Sequence, residues 1–198
     1  MIRNRSTVCF AITLLASAQV FASEWRMDPA ASRLEFVATA QGTDFTGRFR
    51  KFTPRIRFDP MNPAGAWFDV AIELASVDTT NAERDDALPT RDFFWTEKYP
   101  RARFTATACK ALAAAGRFQC QGTLALRGKS RRIAFPFAWS GDARTARLSA
   151  SVPLNRLDFG IGTGDWADPA TIGHRVSVKV ALNLRSTAPA ARAPASEP

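Results

Sequence analysis

Histidine is nearly absent from this chain, with His174 the single copy among 198 residues. So little imidazole leaves no setting for the usual serine or cysteine triad, or for a zinc site built from several histidines. His174, between Gly173 and the last apolar run, reads as a surface or turn residue. Regularly spaced acids are missing too. Asp78, Glu83, Asp85, Asp86 and Asp92 cluster without the repeat of a calcium loop, and read as turn caps and partners of Arg84 and Arg91. There is no dense basic run. The 27 Lys and Arg against 18 Asp and Glu give a formal charge of +9, but they lie singly along alternating segments. That excludes nucleic acid as a partner and favours an anionic surface such as phospholipid headgroups. Gly160, Gly162 and Gly164 follow a strand pattern but open no helix, so the dinucleotide reading fails and a tight turn beneath Trp166 is left. No catalytic constellation, metal site or cofactor is expected.

Long apolar runs are also lacking. Residues 8–20 form an apolar stretch too short to cross a bilayer. With Arg3 and Arg5 before it and Val20-Phe21-Ala22 after it, the stretch has the order of a secretory signal, cleaved after Ala22; a retained anchor is the alternative. Cys9 lies inside the run, which argues against a lipid-modified cysteine. Removing residues 1–22 takes two arginines and no acid, lowering the formal charge from +9 to +7. The expected mature chain is an exported one. Two cysteines remain in it, Cys109 and Cys120, and an oxidising compartment suggests one disulfide. Counted from Phe104, Cys109 falls on the outward set and Cys120 on the inward one, so a bridge requires a bulge near residues 108–111.

Period-two alternation is what the chain has in abundance. Leu34, Phe36 and Ala38 share one face, as do Phe68, Val70, Ile72 and Leu74, and later Val176, Val178, Val180, Leu182 and Leu184. Phe45, Gly47 and Phe49 continue a strand whose parity breaks at Phe52, which predicts a bulge or bend. Phe104, Ala106 and Ala108 face inward, and the small alanines leave volume there. Pro136 cannot donate to a ladder, so its strand is an edge or bulged. Nine or ten short strands with one brief helix predict an all-β antiparallel fold. The expected form is an extended β-barrel of about eight main strands over residues 23–186, with a sandwich as runner-up, because closure removes exposed edges. At eight strands the interior has room for a small ligand. From 187 to 198 the composition turns to Ala, Pro and Ser and predicts a disordered tail.

Residues 76–104 interrupt this pattern. They run from Asp78-Thr79-Thr80-Asn81 through a charged stretch to Phe93-Phe94-Trp95 and stop at Tyr99-Pro100. Asn81 is the expected cap of a short helix over 82–88, with Pro89 as its stop. A connection this long is usually functional. Its aromatics either plug one end of the barrel or also form the lid of an apolar cavity.

Trp25-Arg26-Met27-Asp28-Pro29, Ser32-x-Leu34-x-Phe36, Gly47-x-Phe49-x-x-Phe52, Asp78-Thr79, Asn81-Ala82-Glu83-Arg84-Asp85, Asp92-Phe93-Phe94 and Lys98-Tyr99-Pro100 together resemble the YceI family. Gly122-x-Leu124-x-Leu126-Arg127-Gly128 and Asn155-Arg156-x-Asp158-Phe159-Gly160-Ile161-Gly162 extend the likeness from Glu24 to Arg185. Two positions depart from it: Ala87 stands where the family commonly has histidine, and Trp95 where a small or acidic residue is usual. The resemblance implies a lipocalin-like barrel, mostly periplasmic in the family, that holds the prenyl tail of a quinone or prenyl phosphate.

The expected ligand-binding residues are Phe36, Phe49, Phe68, Val70, Ile72, Phe93, Phe94, Phe104, Leu124, Phe135, Phe137 and Phe159. Asp78, Arg84, Asp85 and Asp92 are the expected polar groups of the lid. The first functional expectation is a periplasmic carrier for a polyisoprenoid lipid, meeting an anionic membrane surface or a membrane-bound redox protein, as monomer or homodimer. The alternatives are an enzyme or redox partner acting on a quinone headgroup at the lid, and a structural barrel filled by its own side chains.

Overall fold

The computed structural model describes residues 24–187. The segment 1–22 expected to be a signal, Ser23, and residues 188–198 of the expected tail lie outside the described residues. Thr187, read above as the start of the tail, is tied to the fold: its amide donates to the Glu24 carbonyl at 2.9 Å.

Alternation of apolar and polar residues yields β1 (Glu24–Met27), β2 (Arg33–Ala40), β3 (Thr43–Phe49), β4 (Phe52–Arg57), β5 (Trp67–Glu73), β6 (Val77–Asp78), β7 (Arg101–Ala111), β8 (Arg117–Leu126), β9 (Lys129–Gly141), β10 (Thr145–Asn155) and β11 (Arg175–Ser186). A single α-helix among the described residues, α1 (Ala82–Ala87), follows β6. All pairings are antiparallel, in the order β4-β5-β7-β8-β9-β10-β11, and β1 closes the ring by pairing with both β11 and β4. The fold is therefore an all-β, lipocalin-like closed barrel of eight strands.

β2, β3 and β6 extend one end of it. Where β1 stops at Asp28-Pro29, β2 takes over along β11, from Arg33↔Ala181 to Val37↔Ser177; β3 then pairs with β2, and β6 with the end of β3. The parity break read at Phe52 is the bend between β3 and β4. It sits beside the break between β5 and β6: the Arg50 amide donates to the Ser76 carbonyl, and the Glu73 amide to the Lys51 carbonyl, each at 3.0 Å.

Local chemistry sets the remaining irregularities. Two-residue turns with positive φ at both positions join β2 to β3 (Gln41, Gly42) and β8 to β9 (Arg127, Gly128), the handedness that suits twisted hairpins. In β7, Thr107 pairs with Gln121 and Cys109 with Cys120, leaving Ala108 bulged out at φ 56°. That single extra residue turns Cys109 inward, and the two cysteines, with Cα atoms 4.1 Å apart, are joined in a disulfide. Pro136 lies just past the last β9–β10 pair, Phe137↔Ala150. Residues 129–136 of β9 consequently pair only with β8.

Candidate functional site: a lidded apolar cavity

Side chains of the same inward parity serve two different purposes along the barrel axis. At the end away from α1 they form a solid aromatic floor. Phe58, fully buried, has ring centroids of Phe118, Phe137 and Trp139 at 5.0, 5.3 and 4.7 Å, and Trp25 meets Trp139 at 5.1 Å. The Trp25 indole Nε1–H donates to the Phe58 carbonyl at 2.9 Å, so that donor is satisfied within the floor. The disulfide lies in this half, with Cys120 fully buried.

Above the floor the barrel is hollow. A cavity of about 460 Å³ opens between the strands and the lid, within the roughly 300–1,000 Å³ range of small-molecule sites. Eleven of the twelve residues expected to bind ligand line it: Phe36, Phe49, Phe68, Val70, Ile72, Phe93, Phe94, Phe104, Leu124, Phe135 and Phe159. Phe137 does not. It is stacked on Phe118 and Phe135 in the floor, with centroids at 5.6 and 5.3 Å. Ala106 and Ala108 also contribute no lining; Ala38 and Ala102 do. The ring of Phe36 lies across Gly47, its direct partner in the register, and any side chain at 47 would run into that ring.

The lid is built by α1 and the turns that follow it. Asn81 Oδ1 accepts the Arg84 amide at 2.9 Å and caps α1. From there the chain folds Leu88, Phe93 and Phe94 over the cavity. Trp95 holds a positive φ of 51° and carries Arg91, Lys98 and Arg127 within 5.1, 4.5 and 6.0 Å of its ring. Arg127 ties the lid to the loop after β10 by donating to the carbonyls of Arg91 and Gly160.

Of the four polar lid residues, only Arg84 lines the cavity. The carboxylates of Asp78 and Asp85 are engaged elsewhere. Asp78 accepts from the Thr80 amide at 3.0 Å and pairs with Arg50, and these two contacts hold its carboxyl below the ordinary range. Asp85 Oδ1 accepts both the amide and the hydroxyl of buried Thr79, each at 2.8 Å. Asp92 is exposed, and its backbone carbonyl accepts the Gly162 amide. Among the described residues no group of three His, Cys, Asp or Glu side chains could hold a metal ion. His174 donates through Nε2 to the Ala167 carbonyl at 2.8 Å.

Arg156 is the site residue that sequence reasoning passed over. It lines the cavity, is only 4% exposed, and has no carboxylate partner among the described residues. Its five donors reach the carbonyls of Ile161 (2.9 Å), Gly162, Trp166 (2.6 Å), Ile172 (2.8 Å) and Gly173 (3.1 Å). One guanidinium thus shapes the whole loop from 160 to 173. Burial pushes its pKa down, though arginine stays charged. Gly162 makes the arrangement possible: its φ is +60°, and a Cβ there would lie 2.6 Å from Arg156 Nη1. The available signal was an arginine running straight into a glycine-rich loop, where carbonyls are free to converge.

The comparisons with known proteins agree with this geometry. The fold superposes on BcnA of Burkholderia cenocepacia with a TM-score of 0.76 at 27% identity, covering 80% of this chain and 99% of that one. It also matches a Saccharophagus degradans domain, described as polyisoprenoid binding and implicated in plant cell wall breakdown. There the TM-score is 0.67 at 21% identity, over 84% of this chain and 99% of that one, a likeness of fold alone. Among curated sequences, a UPF0312 protein of Photorhabdus laumondii is 37% identical over 57% of this chain, a match spanning 61% of the relative's length. A UPF0312 protein of Pseudomonas putida is 28% identical over 84% of this chain and 90% of the relative. The YceI-like domain matches residues 25–184, the span of the closed barrel from its first strand to its last, and the chain belongs to the YceI family.

Proposed function

We propose that this protein binds or carries a polyisoprenoid lipid, a prenyl quinone or prenyl phosphate, in the periplasm and without catalysis. The observation that carries this reading is the cavity of about 460 Å³, lined almost wholly by aromatic and aliphatic side chains, floored by rings and roofed by a lid. Membership of the YceI family, with the prenyl-holding barrel that the motif resemblance implies, supports the choice of ligand. The charged-then-apolar order of residues 1–22 and the Cys109–Cys120 disulfide support export. An anionic membrane face is the proposed loading surface, since Trp95 with its three cations offers an amphipathic ring and positive charge together.

The energetics favour such a guest. Each buried methylene contributes about 0.8 kcal/mol, so one isoprene unit contributes roughly 3 to 4 kcal/mol gross. A few units outweigh the cost of immobilising the chain. Retention should therefore follow tail length. Titration with prenols of increasing length tests this: Kd is expected to fall about tenfold or more per added unit until the cavity is filled. No uptake at any length, or one affinity for all lengths, would contradict the reading.

A further inference from the structure

The hollow half of the barrel is blind. Phe68, Phe104 and Phe135 line the cavity and also pack on one another, the ring centroid of Phe135 lying 6.0 Å from Phe68 and 5.2 Å from Phe104. Phe68 and Phe135 stand in turn on the floor ring of Phe137, at 5.7 and 5.3 Å. The cavity stops at these rings, so a guest admitted beneath the lid meets them with its inner end.

Gly122 decides where one of the rings lies. It sits in β8 between Ala106 of β7 and Ile133 of β9, and the Phe104 ring leans across it from the neighbouring strand. A Cβ on Gly122 would come within 2.3 and 2.5 Å of two carbons of that ring, where ordinary contact begins near 3.4 Å. The Gly122 backbone lies outside the left-handed region, so conformation does not require glycine here. The ring does. Glycine inside a strand marks a place where another group approaches closely, and any larger residue would drive the Phe104 ring away by about 1 Å or more. Phe135 already packs against that ring on the floor side, so the volume left to it is the cavity.

We propose that Gly122, by seating Phe104 against the wall, sets the depth of the cavity and with it the longest prenyl tail that gains affinity. The inference rests on the lipid-binding reading and adds a determinant of tail length to it. Gly122 is a positioning residue, acting through a ring that touches the guest. Gly47 and Phe36 form the same kind of seat, with a Cβ at 47 only 2.2 Å from the ring. That seat lies beside the lid, since Phe36 meets Phe49 at 5.6 Å and Phe49 meets Phe94 at 5.9 Å. Every tail passes it, whereas only long tails reach Gly122.

Titration with prenols from geraniol to undecaprenol tests this on the wild-type protein, Gly122→Ala, Phe104→Leu, the double variant and Gly47→Ala. Tryptophan fluorescence and native mass spectrometry read the binding, and circular dichroism confirms the fold. Wild-type affinity is expected to climb with length and then level off. Gly122→Ala should level off at a shorter prenol and weaken octaprenol about tenfold, as excluding about two methylene groups would, with geraniol changed far less. Phe104→Leu should level off at a longer prenol. On that background Gly122→Ala should lose most of its effect, because both substitutions act through one ring; the Thr105 carbonyl, 2.9 Å from the added Cβ, accounts for the remainder. Gly47→Ala should weaken all lengths. Wild-type length dependence in Gly122→Ala, equal weakening at every length, an undiminished effect on the Phe104→Leu background, or a loss confined to long prenols in Gly47→Ala would overturn the gauge while leaving the lipid site standing. If Gly122→Ala does not fold, Phe104→Leu decides alone, and levelling off at the wild-type length overturns the proposal. Failure of every prenol to bind the wild-type protein would remove the lipid reading and this inference with it.

Discussion

Arg156 is a buried cation answered by dipoles alone. Five carbonyls converge on it, and hydrogen bonds to a charged group are stronger than neutral ones. Removing the guanidinium leaves those acceptors unpaired where water reaches them poorly, so Arg156→Met should cost about 3 kcal/mol or more in chemical denaturation. Arg156→Lys keeps the charge but not the fork, and should also lose about 1 kcal/mol or more. Acid stability rests on different residues. Asp69 is held below its ordinary value of 3.8 chiefly by the hydrogen bond from Arg103, Asp78 by the Thr80 amide and then Arg50, and Asp142 by the amides of Thr145 and Arg144. A carboxyl that is more acidic folded than unfolded contributes fully above the unfolded value, and its contribution is lost as pH falls through the folded one. Denaturation midpoints should therefore be steady above about pH 5 and decline below about pH 4. A midpoint rising on acidification would contradict these pairings.

Floor and wall are made of the same kinds of residue, and what separates them is height along the barrel. Phe137 belongs to the floor and Phe93 to the lid over the cavity. Phe137→Ala should cost about 3 to 5 kcal/mol, since neighbouring rings close around it only in part. Phe93→Ala, beside existing free volume, should cost less and raise the capacity for long-chain lipid; a larger loss at Phe93 than at Phe137 would reverse the assignment. This is also where the sequence stops being informative. Period-two alternation told inside from outside along β2, β5 and β11 and along β7 as far as Ala106, and the parity clash at Cys109 called for the bulge that Ala108, expected to face inward, supplies. Alternation carries no information about how far up the barrel an inward residue lies, because that depends on register between strands distant in sequence. Phe137 was for that reason placed with the cavity residues. That the carboxylates of Asp78, Asp85 and Asp92 line no part of the cavity was illegible for a related reason. Asp78 ends β6, Asp85 lies in α1 and Asp92 in a turn, all outside the long alternating strands, so local partners rather than alternation decide which way each side chain points.

The whole molecule is a cylinder with one end sealed and the other covered. Its ring closes where β1, only four residues long, bridges β4 and β11, a closure that follows from short alternating segments and the penalty on free edges. The disulfide braces the sealed half across a sequence separation of 11. Replacing both cysteines by serine should lower stability by about 3 kcal/mol through the unfolded chain, with little effect on lipid uptake, since neither cysteine lines the cavity. The free volume near the lid is what a chain folding only for stability would fill, because cavities are destabilising. Here it is kept open by inward residues from every long strand together with the lid. The most direct measurement is lipid extraction and mass spectrometry on the protein isolated from the cells that make it. About one prenyl lipid per protein chain is the predicted result. An extract free of prenyl lipid, from a folded protein that also takes up no long-chain prenyl lipid in solution, would contradict the account.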